Sequence, residues 1–269
     1  MILPLELERD IFILATDSTQ RACTFMQVSH RVHDWVERLL YQKVVLSGET
    51  TANLFLTSMR LRPQRFAQRA VTSLCIEGDV QPSTAADILS LCRDTTSLAL
   101  WIAPSDFPDE MNSLLRSLNA LPLMTLSLSI SLIFNHSSCI SLSTIPVFSL
   151  LSHLEILNIW VLWGSAVGLQ DLDRLTHLCL HVDTQRTKPA LVKLLLNNLR
   201  FRIFVFRVSE DYATVQKFLE QSDLIDPRIV LVHRSRSDLR ADDMSLWRNA
   251  ERIVERRYAN QGGSFTPPH

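Results

Sequence analysis

One apolar phrase recurs along the middle of this chain, and it constrains the fold more than any other feature. It reads Val-x-x-Leu-x-Ile at Val71, Leu74 and Ile76. It returns as Leu-x-x-Leu-x-Leu at Leu123, Leu126 and Leu128 and at Leu175, Leu178 and Leu180. Leu154, Leu157 and Ile159 give a further copy, and Thr95, Leu98 and Leu100 a weaker one. Alternation at period two makes each phrase a strand with one buried face. Recurrence makes the strands equivalent members of a stacked array, and such an array presents a long surface suited to recognition.

The middle leucines, Leu74, Leu98, Leu126, Leu157 and Leu178, are separated by 24, 28, 31 and 21 residues. Leucine-rich repeats have periods of roughly 20–29 residues. The asparagine that usually follows such a strand is missing, so the repeats are irregular. The expected fold class is α/β, with parallel strands in an irregular leucine-rich-repeat-like solenoid over residues 46–258. A C-terminal helix from about Asp242 to Arg257 caps it. Its apolar face is Leu246, Trp247, Ala250, Ile253 and Val254. Residues 259–269, with Gly262-Gly263 and Pro267-Pro268, are expected to be a disordered tail. Two more strand-like runs, around Ile203 and Val230, have ambiguous register.

Residues 1–45 follow a different pattern and are read as a separate helical segment. Leu3-Pro4 opens a helix whose stripe is Leu7, Ile11 and Leu14, with Glu6 and Glu8 near its positive end. A second helix is expected from Arg21 to about Tyr41, striped by Phe25, Val28, Val32, Trp35 and Leu39. Shorter helices are expected at Thr50–Arg60, Ser83–Arg93, from Pro108, at Pro189–Leu199 and at Glu210–Gln221.

Composition excludes several functions. The net charge of −1 offers no bulk attraction to nucleic acid or acidic lipid. The cluster Arg60, Arg62, Arg65 and Arg69 is read as a solvated face, because no aromatic interleaving accompanies it. Only 6 glycines leave little for nucleotide-cradling loops. Five cysteines without a Cys-x-x-Cys pair point to reduced thiols and a cytoplasmic or nuclear location. Early charges break any signal peptide, and His153, Glu155 and Asn158 interrupt the longest apolar stretch, so no membrane span is expected.

The phrases LPLELERDIFILA and FMQVSHRVHDWVERLLY resemble an F-box. The whole chain resembles a large, uncharacterised set of F-box-like proteins of mushroom-forming fungi. The matching residues are Leu40 to Gly48, Leu98 to Trp101, and Asp242, Asp243, Trp247, Ala250, Glu251 and Val254. The resemblance implies a substrate receptor of a cullin-based ubiquitin ligase. Leu3, Pro4, Leu7, Ile11 and Phe12 would bind a Skp-type adaptor, and the solenoid would hold an unknown target protein. In ordinary F-boxes the tryptophan falls where this chain has Val32; here Trp35 follows three residues later. The alternative is a scaffold whose N-terminal helices only cap the solenoid.

No catalytic elbow, phosphate loop or His-Glu-x-x-His motif occurs, so no catalytic residue and no cofactor are expected. His177, Cys179 and His181 share one strand face, but same-face neighbours about 7 Å apart converge poorly on one ion, so no metal is expected. The partner-binding residues are expected on an open concave face: Trp101, Trp160, His177 and His181. Tryptophan is over-represented at binding hot spots. A segment folding over that strip would instead make it core.

Overall fold

The computed structural model describes residues 3–63, 65–104, 108–132, 141–159, 168–233 and 243–260. Three helices come first: α1 (Leu5–Ala15), α2 (Thr19–Phe25) and α3 (His30–Tyr41). The single helix expected over Arg21–Tyr41 is therefore two. Ser29 restarts the chain as a helix, its hydroxyl accepting from the Val32 backbone N–H at 3.3 Å. Ala22, Val32 and Val36 are the buried centre of this unit, with Phe12, Phe25 and Trp35 packed against it.

The chain then enters the sheet at β1 (Lys43–Ser47), and the expected boundary after residue 45 falls within this strand. The elements that follow are α4 (Glu49–Arg60), α5 (Phe66–Ala70), β2 (Ser73–Gly78), α6 (Pro82–Leu91), β3 (Ser97–Ile102), α7 (Pro108–Asn119) and β4 (Thr125–Leu128). Next come β5 (His153–Ile159), β6 (His177–Val182), α8 (Pro189–Leu196), β7 (Ile203–Val208), α9 (Tyr212–Gln221), β8 (Ile229–His233) and α10 (Asp243–Asn260). Short 3₁₀ turns at Leu142–Thr144, Pro146–Leu150 and Leu169–Asp171 lie where helices lie elsewhere. Ser129 and Ser131 lie beyond β4 at a 3₁₀ turn over Ile130–Leu132. α6 opens one residue before the expected Ser83, on Pro82, whose fixed φ suits a first helical position. Asp211 caps α9, accepting from Thr214 N–H at 2.9 Å.

The eight strands form one sheet, all parallel, in sequence order β1 to β8. Val44, Leu74, Leu98, Leu126, Leu154, Leu178 and Phe204 are successive register partners, and Ile229 pairs with Phe204. This corrects one expectation: Leu154, not Leu157, holds the fifth place. Leu-x-x-Leu-x-Ile also fits Leu151, Leu154 and Ile156, three residues earlier, and this is the copy the sheet uses. The register shifts between Ile156 and Ile159, which takes Leu157 out of step. From Leu74 onward the intervals become 24, 28, 28, 24, 26 and 25, and the irregular 31 disappears.

Two further columns run beside the first. Leu46, Ile76, Leu100, Leu128, Ile156, Leu180 and Phe206 are buried register partners one step on. Val71, Thr95, Leu123, Leu151, Leu175 and Phe201, three residues before the first column, are also buried. Each fully buried leucine stabilises the fold by about 1.5–3 kcal/mol, so these columns dominate the core. Just before several strands stands a hydroxyl residue. Thr72, Thr96, Ser152 and Thr176 each donate to a carbonyl at the preceding strand's start. Those carbonyls also accept two backbone N–H groups, as Ser152 O does from Thr176 and His177.

The helices α4, α6, α8 and α9 bury their apolar sides against the face carrying these columns. The opposite face is covered at its β6–β8 end by α10. There Trp247, Ala250 and Val254 pack on Cys179, Ile203, Val205 and Val230. α10, expected to cap the array, therefore lies against a face of the sheet rather than beyond its last strand. At the β1 end the same face is open, and Val45 is 54% exposed. Among the described residues no helix is long and apolar enough to cross a membrane. Ala259 and Asn260, the first two residues of the expected tail, continue α10, and residues 261–269 lie outside the described residues.

Candidate functional site

The face opposite the leucine columns concentrates the polar chemistry of the molecule. Trp101 Nε1 donates to Ser127 Oγ at 2.8 Å, and Ser127 Oγ donates to Glu155 Oε2 at 2.8 Å. Cys179 Sγ donates to Glu155 Oε1 at 3.6 Å, and Arg207 Nε donates to the same oxygen. One contact chain thus crosses β3, β4, β5, β6 and β7. Ser127, Glu155, Cys179 and Arg207 are all buried. Burial and then the Glu155 charge push the Cys179 thiol well up, so it stays protonated. Arg207 Nη1 is buried with no hydrogen-bond partner among the described residues.

One rung toward the strand starts lies a histidine pair. His153 of β5 and His177 of β6 are register partners, and their rings stack with centroids 4.1 Å apart. Trp247 of α10 meets both rings edge-on, at 5.2 and 5.7 Å. His153 Nδ1 lies 2.8 Å from Ser152 Oγ, and His177 Nδ1 lies 2.8 Å from Thr176 Oγ1. Glu251 of α10 places Oε1 3.2 Å from His177 Nε2. Burial, with the Arg202 charge, lowers His153 to about 4. Burial, His153 and Arg202 lower His177 to about 3. Both imidazoles are therefore neutral near pH 7.

The expected partner-binding residues divide. Trp101 is half-buried with its N–H committed to Ser127, and Trp160 lies outside the described residues. His177 and His181, expected on an open face, are buried. Trp247 covers His177, and His181 Nε2 meets Ser209 Oγ at 3.2 Å. His177 and His181 share a face as expected, but His177 converges on His153 across the sheet rather than along its own strand.

At the other end, α1 has no buried residue, and Leu3, Leu5, Leu7, Ile11 and Leu14 are exposed. Pro4 is the residue before its first turn. Phe12, expected on the same outward surface, turns inward instead, with its ring edge-on to Phe25 at 5.4 Å. A cleft of about 360 Å³ lies beside α1, α3 and α5, lined by Arg9, Ile13, Trp35, Arg38 and Arg69 among others. It shares no lining residue with the histidine pair.

Comparison with known proteins gave no match to a protein-family model, a curated protein or a solved structure.

The residues that sequence reasoning missed are His153, Glu155, Arg207, Trp247 and Glu251 in their shared setting. A signal was present. Ser152-His153-Leu154 and Thr176-His177-Leu178 are the same tripeptide type at equivalent places, once Leu154 is put in register with Leu178.

Proposed function

We propose that this chain is a non-enzymatic protein-interaction module, and that its F-box-like N-terminal helices dock a Skp-type adaptor so that it acts as a ubiquitin-ligase substrate receptor. The observation that carries this reading is α1. It displays Leu5, Leu7, Ile11 and Leu14 to solvent while burying none of its residues, Leu14 is 84% exposed, and Leu3 just before it is exposed too. A contiguous exposed apolar surface is typical of an interaction site. The strands in sequence order, with helices between many of them, are what a leucine-rich-repeat-like solenoid would produce. The target would meet the open β1–β3 part of the second face, where Cys75, Glu77 and Trp101 are only partly buried. Three clefts around α3, α5 and α6 are lined by none of His153, His177, Cys92 and Cys179.

The scaffold reading has one observation of its own. α3 packs on the sheet's first edge: Tyr41 is edge-on to Phe66 of α5 at 5.4 Å, and Arg62 pairs with the buried Glu37. This packing supports a capping role for α3 whatever α1 does. Co-purification separates the two. The full chain should capture a purified Skp-type adaptor, and Leu7→Ser with Ile11→Ser should abolish capture at unchanged melting temperature. A wild-type chain that never captures the adaptor leaves the scaffold reading.

A further inference from the structure

We propose that His153, His177 and Glu251 form a binding site for a divalent transition-metal ion of the zinc class, fastening α10 to the sheet. This goes beyond the interaction-module reading and does not depend on it. One ligand atom from each of the three residues lies within 4.8 Å of the others. Two imidazoles and a carboxylate are a borderline donor set, suited to zinc, cobalt or nickel rather than calcium or magnesium.

The second observation is the state of His177 Nε2. It is buried, in a residue 4% exposed, and it has no hydrogen-bond partner among the described residues. Glu251 Oε1 is close, at 3.2 Å, but without the direction a hydrogen bond needs. The ring's other nitrogen explains why. The hydroxyls of Ser152 and Thr176 send their protons to the carbonyls of Met124 and Ser152. The same hydroxyl oxygens lie 2.8 Å from His153 and His177 Nδ1. That arrangement assigns the ring proton to Nδ1 and leaves a lone pair on Nε2. A lone pair facing a carboxylate oxygen is repulsive unless a cation stands between them. A hydroxyl that fixes the tautomer through Nδ1 is also what outer partners of metal-bound histidines supply.

The geometry is within reach of a tetrahedral ion. Metal–nitrogen bonds of about 2.0–2.1 Å place tetrahedral donors about 3.3 Å apart. The His177–Glu251 edge already has that length. The stacked rings, now 20° from parallel, would have to splay so that His153 closes the triangle. Glu251, with its side chain 42% exposed, can follow. Water would complete the fourth position. The opposing charge is Arg202, which acts on both histidines.

The test uses the tag-free full chain, stripped with a chelator and titrated with Zn²⁺, then with Co²⁺ as a spectroscopic probe. We expect one equivalent of Zn²⁺, a visible Co²⁺ absorption of four- or five-coordinate type, and slowed amide exchange over residues 243–260. Glu251→Gln should weaken Zn²⁺ binding at least tenfold with the metal-free melting temperature unchanged, and this partly exposed variant guards against misfolding of the buried histidine variants. His153→Gln with His177→Gln should remove the site. Absence of stoichiometric binding, undiminished affinity in Glu251→Gln, or one equivalent retained by the double histidine variant each overturns the proposal.

Discussion

Glu155 on β5 and Arg207 on β7 form a buried ion pair that reaches across the strand between them. Cys179 of that middle strand donates to the same carboxylate oxygen that Arg207 uses. Three strands are thereby tied on the face away from the leucine columns. Taking both charges out of water is costly, and their attraction returns the cost only while both partners remain.

Breaking the pair should therefore cost far more than deleting it. Glu155→Gln leaves the Arg207 guanidinium buried and unpaired, and should lower stability by about 3–5 kcal/mol. Glu155→Leu with Arg207→Leu should cost much less than the sum of the two single changes. Urea unfolding at unchanged slope measures each value. A single change costing under about 1 kcal/mol would show that water reaches the pair.

Detachment of α10 can be followed through a thiol. Cys179 is fully buried beneath α10, whereas Cys23 is exposed. Trp247→Ala removes a buried ring that touches both histidines and belongs to the cluster over Cys179. Truncations of this kind cost about 3–5 kcal/mol when the site cannot collapse. Most of that loss should appear as local opening of α10, because the helix packs on the sheet from outside the leucine core. Site-resolved alkylation should then label Cys179 in the variant but not in the wild type, with Cys23 labelled equally in both. Equal protection of Cys179 in both proteins would mean that the sheet, not α10, shields it.

An alkaline limb of stability follows from Cys92. Burial at the end of α6 pushes its thiol up to about 12 from the usual 9.0. Between those values the unfolded chain gives up the proton and the folded chain keeps it. Stability is then fully present below pH 9 and falls by about 1.4 kcal/mol per pH unit above it, for this one group. Lysines and tyrosines titrate nearby, so the informative quantity is the difference from Cys92→Ala. That variant should lose stability less steeply above pH 9. Parallel curves would mean that the thiol ionises as freely in the folded chain as in the unfolded one.

Much of the fold was legible because strand and helix periods leave separate marks. The phrases at Leu74, Leu98, Leu126 and Leu178 are all strands, and α7 begins at the expected Pro108. Val44, Phe204 and Ile229 were not assigned to the column, since runs such as Ile203–Val208 are buried on both faces and show no alternation. The site was less legible for a more specific reason. LLSHLEILNI holds two overlapping copies of one phrase, and only pairing with neighbouring strands decides between them. Choosing Leu157 moves His153 out of line with His177 and hides the pair. Which sheet face α10 covers was equally invisible, because an apolar stripe states that a helix is buried but not against what.

The two copies can be told apart by truncation. Leu154 is fully buried between Leu126 and Leu178, so Leu154→Ala opens a cavity inside a column with neighbours on both sides. It should cost about 2–5 kcal/mol, the range for buried leucines whose surroundings relax only partly. Leu157 lies past the point where the register slips and is only partly buried. Leu157→Ala should cost about 1 kcal/mol or less, near the centre of ordinary single substitutions. Chemical denaturation of the two variants side by side ranks them. The reverse order would put Leu157 back in the column, separate His153 from His177, and remove the geometry on which the metal site rests.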